Sequence, residues 1–153
     1  MAYIKYKEIT KYFNFSKIVD ISLLPKYTTD YVCEDEEILA AYKTHRDYGV
    51  FTDKKIVLFD NTSLAISRKQ VYIIPYQSIS SCSVIFKSSS GEMSLFMNSG
   101  YPVRLKFINM SSEAKYKLRV LYSYVSRYII GQYVTKDEVK QMQENDFSFK
   151  KEK

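Results

Sequence analysis

The stretch Thr44-His45-Arg46-Asp47 sets the chain's one histidine beside a carboxylate and a hydroxyl, the residue types of general-base chemistry. His45 would be the base, steered by Asp47, and Thr44 or Thr52 would have to act as the nucleophile. Neither threonine stands in a recognisable nucleophile context. Asp47 and Gly49 are instead what a hairpin connection uses, set between the apolar runs EILAAYKTH and GVFTDKKIVLFD. The cluster reads as a turn.

Other chemistry is as thinly supplied. One His and two cysteines far apart, Cys33 and Cys82, do not make metal-ligand spacing. The cysteines read as reduced and buried in a cytosolic protein. The acidic run Glu34-Asp35-Glu36-Glu37 reads as a solvated turn, and the four glycines form neither GxGxxG nor a P-loop. No catalytic set, cofactor, metal or small-molecule substrate is expected.

Binding surfaces are better represented. Arg68 and Lys69, with Tyr72 close by, and Lys115, Arg119 and Arg127 on one face of a helix offer basic groups among aromatics, the pattern of anionic-membrane or nucleic-acid contact. The aromatic N-terminal segment contributes Tyr12, Phe13 and Phe15, and the C-terminal end Phe147 and Phe149. Such segments either cover an open edge of the fold or engage a partner.

Net charge is +6, with the excess in residues 61–153 and residues 31–60 acidic, and no dense Lys/Arg block marks a dedicated polyanion binder. The 153 residues are the usual size of one domain. Hydrophobic residues at 46% and charged residues at 26% are ordinary globular values, while 15 tyrosines favour strands and half-buried surfaces. No apolar run approaches 18 residues, so no membrane span is expected, and the lysines scattered through MAYIKYKEITKYFNF leave no continuous apolar core for a signal peptide.

The elements that must position these groups follow from periodicity. Residues 4–18 suit a short amphipathic helix, and ISLLPKYTTDYVCEDEE suits an extended linker. From Glu37 to Asn109, short runs separated by turn residues suit six or seven strands. Pro75 must lie at a strand end or on an edge, and SSSG at 88–91 and NSGYP at 98–102 supply hairpin turns. Ala114, Leu118, Leu121, Tyr122, Val125 and Ile129 make one stripe of a helix with Ser111 as N-cap and Gly131 as stop. Thr135 and Glu138 form a second capping signal.

This order, and above all GVFTDKKIVLFD and IPYQSIS, resembles the bacterial pleckstrin-homology-like family across residues 31–131. The resemblance implies an α+β, mainly β fold: an antiparallel half-open barrel of six to seven strands closed by the C-terminal helix. Residues 1–30 would then be a helical or extended N-terminal extension, packed on the barrel or on a partner, and 132–153 a short polar helix and tail. It further implies homo-oligomers, as in relatives that assemble into rings, and it does not carry over phosphoinositide binding, since HRDYG is short and Asp47 offsets Arg46. The reading is a cytoplasmic, bacterial or phage-encoded adaptor that works by protein contact. Two alternatives stand beside it: an electrostatic binder of membrane or nucleic acid, and an inhibitor of a host or defence enzyme.

Overall fold

The computed structural model describes residues 11–44, 47–60, 70–132, 135, 137, 138 and 140, with Lys11, Tyr12 and Asp60 described by backbone alone. His45, Arg46, Arg68 and Lys69 lie outside the described residues, as does the side chain of Tyr12.

Two sheets form the body. The first holds β2 (Lys17–Val19), β3 (Ile38–Lys43), β4 (Tyr48–Thr52), β5 (Lys55–Asp60) and β6 (Gln70–Pro75), in that order. The second has the order β1 (Lys11–Phe15), β9 (Pro102–Phe107), β8 (Gly91–Met97) and β7 (Ile79–Phe86). Among the described residues there are seven strands from Ile38 onward, within the six or seven that the turn spacing predicts. Pro75 ends the edge strand β6, where its missing N–H costs no ladder bond.

Residues 11–30 behave differently from the expected helix and linker. Phe13 and Phe15 alternate with exposed Asn14, a period of two, and β1 pairs in parallel with β9, Phe15 facing Phe107. This pairing departs from the otherwise antiparallel plan. After Ser16, whose N–H donates to the Lys43 carbonyl at 2.8 Å, β2 crosses to the other sheet and pairs with β3. The N-terminal segment thus supplies one strand to each sheet and joins them at a corner.

Residues 21–32 then pass back over the outside of the first sheet through a 3-10 turn (Ile21–Leu23) and the single-turn helix α1 (Lys26–Thr29). They are a roof. Leu24 and Val32 pack on Ala41, Val50, Val57 and Phe59, and the Tyr27 and Tyr31 rings meet Phe59 edge-on at 5.5 and 5.6 Å. This explains the unbroken run Ile56-Val57-Leu58-Phe59: alternate residues face the barrel interior and the roof, so both faces of β5 are apolar. Cys33, expected to be buried, is exposed at the far end of this roof.

The main core lies between the sheets and the C-terminal helix α2 (Ser112–Ile129). Ser111 caps α2 by accepting the Ala114 N–H at 3.1 Å, and Gly131 leaves it at φ 81°, a left-handed position that suits glycine. Leu118, Leu121, Val125 and Tyr128 are its buried stripe. Beyond it Thr135 and Glu138 cap each other reciprocally, at 2.9 and 3.2 Å.

Candidate functional site

At the hairpin of the histidine, Thr44 and Asp47 close the turn: the Thr44 N–H donates to the Asp47 carbonyl at 2.8 Å and the Asp47 N–H to the Thr44 hydroxyl at 2.9 Å. The Asp47 carboxylate accepts the Tyr27 hydroxyl at 2.8 Å and the Tyr48 N–H at 3.1 Å. It ties the roof to the barrel. Burial, and then this bond to Asp47, push the Tyr27 phenol far above its ordinary value. Gly49 is no turn residue but sits inside β4, where an added Cβ would lie 2.5 Å from the Phe15 ring; the glycine is there so that ring can pass.

The acidic run is also structural in part. Glu36 is buried, and its carboxylate accepts Lys55 Nζ at 2.6 Å, the Thr52 hydroxyl at 2.6 Å and the Cys33 N–H at 3.0 Å. Burial alone would raise the Glu36 carboxyl, but the bonds from Lys55, Thr52 and Cys33 outweigh it and hold it below its ordinary value. Next to it the buried Tyr76 hydroxyl donates to the Thr52 carbonyl at 2.6 Å, and its ring stacks on Tyr128 at 5.2 Å. Among the described residues, no group of His, Cys, Asp and Glu is arranged to hold a metal ion.

The candidate contact residues are scattered. Phe13 and Phe15, read as interaction residues, are core: Phe15 is 1% exposed, and its ring lies 5.1 Å from Phe107 and 5.6 Å from Tyr42. Burying such a ring is worth about 1.5–3 kcal/mol, which is why a strand carrying two of them docks inward. The basic helix face divides as well. Arg127 meets Glu138 at 3.7 Å and lies over Tyr124. Arg119 is exposed and lies over the Phe86 ring of β7 at 5.1 Å, and Lys115 is half-buried one turn before it.

Two features were missed by the sequence reading. A cleft of about 810 Å³ opens between β2, the start of β3 and α2, lined mainly by apolar side chains such as Ile18, Ile38 and Val120, with Asp20, Glu37 and Lys117 among them. The other is the outside of the second sheet, which has no counterpart to the roof among the described residues. Ile85 is 52% and Phe96 36% exposed there, and Arg104 donates to the Ser94 hydroxyl at 2.8 Å and lies over Phe96. Only the alternation of SVIF and LFM in the sequence hinted at outward apolar residues. Among the described residues, no helix is long and apolar enough to cross a membrane.

The same architecture recurs in solved structures. A protein with a pleckstrin-homology domain from Shewanella loihica is 17% identical at a TM-score of 0.58, over 73% of this chain and 95% of that one. A PH-domain-containing protein from Exiguobacterium sibiricum is 17% identical at a TM-score of 0.56, over 90% of this chain and 86% of that one. The uncharacterised Bacillus subtilis protein YjqA is 43% identical over 51 residues, a stretch spanning 33% of this chain and 41% of YjqA. With a family model for the bacterial PH domain matching residues 7–129, every described strand of both sheets and all of α2, the chain belongs to the bacterial PH domain family.

Proposed function

We propose that this chain is a non-enzymatic interaction module, an adaptor that holds a protein partner on its barrel and can associate with copies of itself. The observation that carries the reading is the contrast between the sheets. One outer face is sealed by the chain's own roof, with Val57 fully buried and Phe59 4% exposed, while the other leaves Ile85 and Phe96 in solvent. Exposed apolar side chains ringed by polar ones, here Ser81, Ser83 and Arg104, are the composition of a protein contact. The hairpin of His45 also supports a role without covalent chemistry, because its carboxylate is committed to Tyr27 and Tyr48.

The electrostatic alternative is weakened where basic groups already face carboxylates, as at Arg127 with Glu138 and Arg104 with Glu92. An affinity capture with the full chain at low and high salt separates the two, with light scattering on the purified protein alone. A protein partner retained at high salt is the expected result. Capture of only lipid or nucleic acid, lost as salt rises, would overturn the adaptor reading.

A further inference from the structure

Strand β7 is an edge. In the order β1-β9-β8-β7 it has, among the described residues, a strand neighbour on one side only, and its eight residues, ISSCSVIF, contain no charge and no proline. Edges of this length are ordinarily blunted by Lys, Pro or a bulge along the strand. Here the register is irregular only at the start, between Ile79 and Ser81, and runs evenly from Ser81 to Phe86.

The direction of its backbone groups follows from the hairpin. The Lys87 N–H donates to the Ser90 carbonyl at 2.8 Å, so bonded and non-bonded pairs alternate back along the ladder. Ser81, Ser83 and Ile85 then bond to β8, and Cys82, Val84 and Phe86 turn their N–H and C=O groups away from it. The side chains agree: Ser81, Ser83 and Ile85 are exposed on the outer face, and Cys82, Val84 and Phe86 are half-buried. The helix meets this edge, with the Tyr122 hydroxyl donating to the Cys82 carbonyl at 3.4 Å and Arg119 over Phe86. The flank of α2 beside the edge is therefore the row Lys115, Arg119, Tyr122, at spacings of four and three.

Resting on the interaction-module reading, we propose that β7 receives an extended, acidic segment of a partner protein as an added antiparallel strand, held between the outward backbone of Cys82, Val84 and Phe86 and the basic flank of α2. Backbone bonding supplies the affinity of such an addition, and neighbouring side chains select the sequence. The charge pattern picks the occupant. β7 is neutral, while Lys87 follows it and Lys115 and Arg119 flank it, so carboxylates on the incoming strand meet cations. Pairing with the β7 of a second copy would instead bring two such basic flanks to one seam, a like-charge arrangement that disfavours it.

The test uses the isotopically labelled full chain and three twelve-residue probe peptides. One alternates valine and glutamate, one carries lysine in place of glutamate, and one is the acidic peptide with two central prolines. Expected is binding of the acidic peptide with amide exchange slowed at least tenfold at Cys82, Val84 and Phe86, at least tenfold weaker binding of the lysine peptide, and none of the proline peptide. The surface double variant K115E/R119E should reverse the charge preference with the fold intact. Equal binding of all three peptides, or protection away from β7, overturns the proposal. Undiminished capture of a salt-resistant protein partner by K115E/R119E overturns it too, while leaving the broader adaptor reading in place.

Discussion

Phe15→Ala is expected to cost about 3–5 kcal/mol of stability, the range for removing a buried aromatic ring from a packed core. The ring is 1% exposed and is held among Tyr42, Phe51 and Phe107 at centroid distances of 5.1–6.5 Å. Its backbone is fixed as well, since its carbonyl accepts the Ile108 N–H at 2.9 Å. Urea unfolding of the variant against wild type reads the loss. The companion change is Gly49→Ala, whose new Cβ would lie 2.5 Å from this ring and should cost about 1–3 kcal/mol by overpacking. With Phe15→Leu already present, most of that second cost should disappear, because the colliding atoms are gone; contacting sites couple in this way. A loss below about 1 kcal/mol for Phe15→Ala would place β1 outside the core and return the N-terminal segment to the role of an appendage.

Glu36→Ala should be comparably costly, at about 3–5 kcal/mol, since it strands the Lys55 ammonium without its partner. Side-chain exposure is 1% for Glu36 and 15% for Lys55, so water does little to replace the lost bond. The double change Glu36→Met with Lys55→Met removes both charges and should recover most of the loss, as buried pairs exchanged for apolar residues often do. The pH dependence has a definite sign. Glu36 is held below its ordinary value of 4.5, so the unfolded chain takes up its proton first as pH falls. The stabilisation is complete above about pH 4.5 and is lost as pH drops through the folded-state value. Thermal unfolding of wild type and Glu36→Gln at neutral pH and at about pH 3 should show the gap between them narrowing on the acid side. A gap independent of pH would show that the carboxylate's charge contributes nothing to the latch.

The strands after Glu37 and the helix were legible because their signals are local. Ser111 and Gly131 bracket one apolar stripe, Thr135 and Glu138 make a capping box, and the Asp53-Lys54 turn divides GVFTDKKIVLFD into β4 and β5. The N-terminal strands were misread because tertiary partners decide them. In KYFNFSKIV, Tyr12, Phe13 and Ile18 fit a loose helical pattern, and the alternation of Phe13 with Phe15 gains meaning only when β9 stands opposite. The roof was missed for a related reason. Pro25, Thr28 and Asp30 signal a break in regular structure, whereas the information that a sheet needs covering resides in Val57 and Phe59, nearly 30 residues downstream. The N-terminal aromatics Phe13 and Phe15 are distinguished in the sequence only by apolarity, which marks cores and interfaces alike. The exposed edge of β7 carried no charge to draw notice.

The parallel pairing of β1 with β9 also sets the order in which the molecule can be completed. Lys11 lies opposite Val103, so β1, which precedes the other described strands in the chain, has no place in the sheet until β9, the last of them, has followed. At synthesis rates of ~5–20 residues per second, that interval is ~5–20 s. For all of it Phe13 and Phe15 lack the sheet that buries them, while β3 to β6, joined by short-range hairpins, can already pair. Closing so long a loop carries an entropic cost that the local hairpins do not, and until it closes those two rings stay on the nascent chain without the sheet that covers them.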